Sequence, residues 1–159
     1  MEKVYLKKVD CKDIDLLFEW SNDGDVRVNS FNQNDIEYSE HIRWFRNCIQ
    51  NENVDIYICY LNVEPVGQIR LEYSDETANI SYSIAKEHRN KGVGEAMINL
   101  TEVELISSHP NVTFLTGSVK LSNIASQKVF EKCGYDKKLM NDENEYFKYF
   151  KRVNLLSDI

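Results

Sequence analysis

Residues 78–98 read ANISYSIAKEHRNKGVGEAMI, and this stretch decides the fold. Ile80, Tyr82 and Ile84 alternate with Asn79, Ser81 and Ser83, the period of a strand with one apolar face. After the loop the period changes: Val93, Ala96, Met97, Leu100 and Val103 recur at helical spacing, predicting a helix to about residue 107. Between strand and helix lies Arg89-Asn90-Lys91-Gly92-Val93-Gly94. Glycines at 92 and 94 let the main chain approach a ligand with no Cβ in the way. A helix beginning there leaves its first N–H groups unpaired and carries partial positive charge. Together these make a pyrophosphate seat, with Arg89 and Lys91 adding charge at the rim. The competing reading is a plain strand-to-helix turn with a chance pair of glycines. A dinucleotide fingerprint needs a third glycine after an early parallel strand, and a P-loop needs G-x-x-x-x-G-K-[ST]; neither is present.

Upstream, residues 54–61, 66–73 and 78–84 read as an antiparallel meander, with turns at residues 62–65 and 74–76. Residues 4–9 form a first strand. Asp13 is placed to cap a helix through about residue 21, with Leu16, Leu17 and Trp20 facing inward. Residues 22–38, rich in Asn and Asp, read as a long loop. Ser39 caps a second helix in which Ile42, Phe45 and Ile49 repeat. Downstream, His109-Pro110 stops the helix that began at 93. Then follow a strand at 112–119, a helix at 123–132 with Gly134 as its C-cap, and strands near 135–140 and 145–152. The class is α+β, or mixed α/β, in a single domain over residues 1–159.

Hydrophobic residues make up 42% and charged residues 28%, enough apolar material for a packed core. The net charge of −7 and the short basic clusters argue against nucleic-acid binding. Cys11, Cys48, Cys59 and Cys133 form no C-x-x-C pair, so neither a metal site nor a redox motif is expected. No leader-like apolar run opens the chain, and no segment nears the roughly 20 apolar residues needed to span a bilayer. A cytoplasmic protein without membrane contact is expected, and a homodimer remains open.

The stretch at 78–98 resembles the acetyl-CoA site of the GNAT acyltransferase superfamily, whose hallmark is [QR]-x-x-G-x-[GA]. A second block agrees: Asn123-x-x-Ser126-x-x-x-Phe130-x-x-x-Gly134-Tyr135 is similar to that family's N-x-x-[AS]-x-x-x-[YF]-x-x-x-G-[FY] segment. The resemblance implies a central, mostly antiparallel twisted sheet of about seven strands with about four helices. It also implies an acetyl-CoA-dependent N-acetyltransferase. The N–H groups of Asn90, Lys91, Gly92, Val93, Gly94 and Glu95 would cradle the CoA pyrophosphate beside Arg89. Tyr82, Ser83 and Ile84 would pair by main chain with the pantetheine arm. Asn123 would bond the same arm, as well as capping its helix.

Acetyl transfer to an amine requires loss of the amine's proton, donors for the developing oxyanion, and a proton for the leaving thiolate. Ribosomal-protein N-terminal acetyltransferases of this superfamily place a Tyr acid where Phe130 stands and a Glu base where Ser118 stands. Tyr135, Tyr82 or water then remain as acids. Base candidates are Glu72, reaching the cleft through water or simply a solvated strand residue, and His41, catalytic or a satisfied helix histidine. Tyr82 is a proton-transfer candidate or a core residue.

On the acceptor side, residues 20–46 carry Arg27, Phe31, His41 and Trp44 in a polar setting, which suits a polyhydroxylated, anionic acceptor. The W-x-N-D, V-R, S-F-N and E-H-I-x-W-F pieces are similar to a GNAT branch that acetylates amino-sugar nucleotides in the pseudaminic-acid pathway. That likeness implies a UDP-linked 4-amino sugar, a small-molecule amine, as acceptor. Arg27, His41, Trp44 and Tyr82 would line its pocket. The alternatives are a protein N-terminus, a polyamine, or CoA binding without catalysis.

Overall fold

The computed structural model describes residues 2–153. Seven strands form one sheet in the order β1-β2-β3-β4-β5-β7-β6: β1 Val4–Lys8, β2 Val54–Leu61, β3 Glu64–Ser74, β4 Thr77–Ile84, β5 Phe114–Lys120, β6 Asp136–Asn141 and β7 Glu145–Arg152. The β2–β3–β4 meander forms as the alternation predicts, with Asn62 and Asp75 taking positive φ (58° and 53°) in its two turns. Every neighbouring pair is antiparallel except β4 and β5.

Five helices accompany the sheet: α1 Ile14–Ser21, α2 Gly24–Asn29, α3 Tyr38–Gln50, α4 Val93–Ser108 and α5 Ile124–Lys132. This is one more than expected, because α2 lies inside the stretch read as loop. Asp23 caps α2 by accepting from the Asp25 and Val26 N–H groups, and six polar-rich residues give no apolar period to read. The start of α1 also differs. Asp10 and Asp13 form a reciprocal capping box around a short 3₁₀ turn, Cys11–Asp13, and Asp13 does not cap α1. Helix α3 begins at Tyr38, before Ser39, and β5 begins two residues later than read.

Helices α4 and α5 cover one face of the sheet. Ile98, Leu105 and Phe130 there pack on Tyr57, Ile69, Leu71, Ile80 and Leu115. The buried side of α4 is Gly94, Met97, Ile98, Thr101 and Leu105, whereas Val103 is 65% exposed, so the expected stripe is rotated. Close packing selects small residues on the inner side: a Cβ on Gly94 would lie 3.1 Å from Ile84 and 3.2 Å from Val129. Helices α1 and α3 cover the opposite face through Leu17, Phe45, Ile56 and Ile58. On α3 the buried residues are His41 and Phe45, while Ile49 is exposed.

What positions the site is an incomplete ladder. Strand β4 pairs with β5 only at residues 77–79 against 114–116. Yet β4 runs on beside β3 to Ile84, and β5 beside β7 to Lys120. From Ile80 onward the two central strands splay, and among the described residues one edge of β4 has no strand beside it.

Candidate active site between the splayed strands

The loop after β4 runs into the open end of this gap. Asn90 (φ 61°) and Gly92 (φ 81°) are left-handed, and Gly92 is the N-cap of α4 with no side-chain cap. Among the described residues, no hydrogen bond uses the N–H groups of residues 90–95. Alternating left- and right-handed residues at a helix start form a concave row of donors fit for an anion. A Cβ on Gly92 would meet nothing within 4 Å, so the row is open on that side. The residues present therefore fit a pyrophosphate.

Arg89 works elsewhere with its side chain. Its Nε donates to the Ile84 carbonyl at 3.0 Å, while Nη2 reaches Asp23 at 2.8 Å and Nη1 reaches Asp25 at 3.0 Å. Partial burial raises the Asp23 carboxyl, but Arg89 and the N–H groups of Val26 and Asp25 outweigh it and hold its pKa below the usual value. The Lys91 ammonium donates to the Glu87 carbonyl at 2.9 Å.

Across the gap stands α5. Asn123 Oδ1 accepts from the Ser126 N–H at 3.2 Å, so the residue does cap the helix. The Tyr82 and Ser126 hydroxyls are bonded at 2.8 Å, linking β4 to α5. Burial pushes the Tyr82 phenol up to about 12. The Phe130 ring packs edge-on to Tyr82 and stacks on Tyr149, 5.2 Å between centroids. Its para carbon lies 2.5 Å from where a Cβ on Gly117 would stand, so β5 can pass there only as glycine. Tyr135 donates to Glu102 at 3.3 Å on α4, which leaves Tyr82 as the phenol that spans the gap.

The other face of the splayed strands is polar. Gln68 donates to Ser83 at 3.1 Å, and Arg70 lies beside Ser81 and over the Trp44 ring of α3. Glu72 is half-exposed, its Oε1 2.9 Å from Arg70 Nε. Ser118 is exposed on β5. The α2 segment roofs this side: Lys120 donates to the Val28 carbonyl, Phe31 packs edge-on to Tyr146 of β7, and Arg89 holds the start of α2.

Of the acceptor residues read from sequence, Trp44 and Tyr82 border the splayed strands. Arg27 holds the roof's own shape, with Nε on Ser21 O, Nη1 on Asn32 O and Asn34 O, and Nη2 on Ser30 Oγ. His41 is 2% exposed and bonded through Nε2 to the Ile14 carbonyl, tying α3 to α1. Sequence reasoning passed over Gln68 and Arg70. Their alternation with Ile69 and Leu71 was the available signal, but it reads as a solvated face unless the covering helix is known.

The profile of the acetyltransferase (GNAT) domain family matches residues 3–136. The chain belongs to this family. No curated protein matches its sequence. Solved structures do match this GNAT chain in fold. A domain from Methanocaldococcus jannaschii DSM 2661 is 22% identical, with 96% of this chain and 100% of that one covered at a TM-score of 0.83. Aminoglycoside acetyltransferase AAC(6')-Ib with coenzyme A is 18% identical, with 98% of each chain covered at 0.82. Spermidine N-acetyltransferase from Vibrio cholerae with CoA and spermine is 15% identical, with 94% and 95% covered at 0.82. The GNAT chain is an acetyl-CoA-dependent N-acetyltransferase, and acetyl-CoA is its co-substrate.

Proposed function

We propose that this enzyme acetylates a primary amine on an amino-sugar nucleotide, the 4-amino group of a UDP-linked sugar, by direct attack of the amine on the thioester. The observation that carries this reading is the gap between β4 and β5, which opens on the donor-lined loop at one end and is roofed by α2 over a polar face.

Acetyl-CoA supplies an activated acetyl group. In this reading the N–H groups of residues 90–95 hold its pyrophosphate. The free edge of β4 at Tyr82, Ser83 and Ile84 pairs with the extended pantetheine arm. Asn123 caps α5 with its oxygen and turns its amide nitrogen to the same arm. Tyr82, kept protonated by burial and positioned by Ser126, gives a proton to the departing sulfur. Glu72, a carboxylate on the acceptor face, accepts the amine's proton through water. His41 supports α3 and Arg27 supports the roof, so both shape the acceptor side from behind.

The lining favours a sugar nucleotide over a polyamine. Gln68, Ser81 and Ser83 are neutral and hydroxyl-rich, and Arg70 adds positive charge that a polycation would avoid. A protein N-terminus is less favoured because Ser118 and Phe130 occupy the base and acid positions of the ribosomal-protein branch. Reduced cysteines suit a cytoplasmic enzyme: all four thiols are free.

The test is CoA-thiol release with a UDP-4-amino sugar, an aminoglycoside, spermidine and an N-terminal peptide. The sugar nucleotide should show the highest kcat/KM. Turnover of the peptide or spermidine without the sugar nucleotide would overturn the acceptor assignment.

A further inference from the structure

Among the described cations beside the cleft, Arg27, Arg89, Lys91 and Lys120 are committed to the fold. Arg27 donates to three carbonyls and a hydroxyl of the roof. Arg89 is taken by Ile84, Asp23 and Asp25, and Lys120 by Val28. Arg70 differs. Its Nε is buried and, without a hydrogen bond, is answered only by the Glu72 carboxylate, whose Oε1 lies 2.9 Å away. Its Nη2 reaches Ser81 Oγ at 3.5 Å, the outer limit of a hydrogen bond. The side chain is 31% exposed although Nε is buried, and Nη1 makes no hydrogen bond among the described residues.

The surroundings aim it. Trp44 lies under the guanidinium, 5.4 Å from ring centroid to Cζ, and fixes its plane. Ser81 and Ser83 are on β4 past the point where β5 departs, so Arg70 reaches the splayed part of the strand from the acceptor side. Glu72 is half-exposed, and an ion pair with a solvent-exposed carboxylate is weak enough to be exchanged for a better anion. A phosphate takes two parallel N–H donors of a guanidinium at once, which this carboxylate does not.

From this we infer that Arg70 binds a diphosphate on the acceptor, making a second anion subsite on the α3 face, separate from the α4 loop that serves CoA. The inference rests on the sugar-nucleotide reading above and names the residue that selects for it.

The experiment titrates the CoA-saturated full chain with UDP by calorimetry, so that the α4 loop is already filled. Uridine and a hexuronate are the comparison probes. UDP should bind, and uridine should bind at least tenfold more weakly. Arg70→Gln should weaken UDP by roughly thirtyfold, the loss of a charge-assisted pair, while CoA affinity holds. Arg70→Lys keeps the charge without the fork and should fall between. In steady-state kinetics Arg70→Gln should raise KM for the UDP-4-amino sugar at least tenfold more than it raises KM for a neutral amine. Equal UDP binding by the wild type and Arg70→Gln overturns the subsite, as does no UDP binding at saturating CoA. Hexuronate binding as tight as UDP, and equally dependent on Arg70, overturns the diphosphate assignment in favour of a carboxylate. If Arg70→Gln loses UDP but no sugar nucleotide is turned over, the subsite stands and the acceptor proposal fails.

Discussion

The two ends of β4 differ in what they leave unpaired. At residues 77–79 the strand has a neighbour on each side, and nearby Asp55, 6% exposed, is answered by Lys8 at 2.9 Å and the Tyr73 hydroxyl at 2.7 Å. At residues 80–84 β5 has departed, the amides of residues 90–95 in the following loop make no hydrogen bond among the described residues, and Arg70 is loosely held. Polar groups at the closed end are answered within the fold, whereas those at the open end have few partners among the described residues. Substitutions at the two ends should therefore separate stability from activity.

The sharpest separation should come from Gly92→Val. The space above Gly92 is open, but its φ of 81° is hostile to a β-branched residue, so the donor row is lost while the core is untouched. CoA affinity should drop on the order of a hundredfold in calorimetry, with only a small fall in melting temperature. Unchanged CoA binding would contradict the loop assignment. Tyr82→Phe, also at the open end, should lower kcat by about thirtyfold while CoA affinity stays within a few-fold. A normal kcat would remove Tyr82 from proton transfer.

Asp55→Ala tests the closed end. It leaves the Tyr73 hydroxyl without its acceptor, while the exposed Lys8 returns to solvent, and should cost about 2 kcal/mol in urea unfolding. The surviving folded fraction should keep its KM for acetyl-CoA. Loss of CoA affinity in that variant would mean the two ends are coupled. The smallest effect is alkaline. Burial raises Cys59 and Cys133 from 9.0 to about 11, and Tyr57 and Tyr82 from 10.0 to about 12. Folded values above the unfolded ones mean stability is full below about pH 9 and declines from pH 9 through 12. Melting curves at stepped pH should show that decline, and Tyr82→Phe should flatten only the part above pH 10.

The strand-loop-helix order and the meander were legible because alternation, a glycine pair and helical spacing are local signals. Asn123 as a cap was legible for the same reason. The phase of α4 was not, since its apolar residues surround much of the helix and only packing on β4 and Val129 selects the side with Gly94 and Thr101. The roles of Arg27 and Arg89 were hidden as well. A guanidinium in a polar stretch looks free to meet a substrate, and only the fold shows its fork closed on nearby carbonyls and carboxylates. Arg70 was hidden in the opposite sense, as an ordinary outward residue of a strand whose guanidinium proves to stack on Trp44.

Phe130 meets Gly117 end-on, with the two neighbouring ring carbons nearly equidistant at 3.1 and 3.2 Å from the missing Cβ. The long axis of the ring therefore points straight at the strand. A tyrosine grafted here would drive its oxygen into the main chain of β5 rather than toward a thiol. Reverting this position to the phenol of related enzymes thus calls for a retreat of the strand as well as a change of ring, and a single swap should yield a strained protein, not a repaired acid.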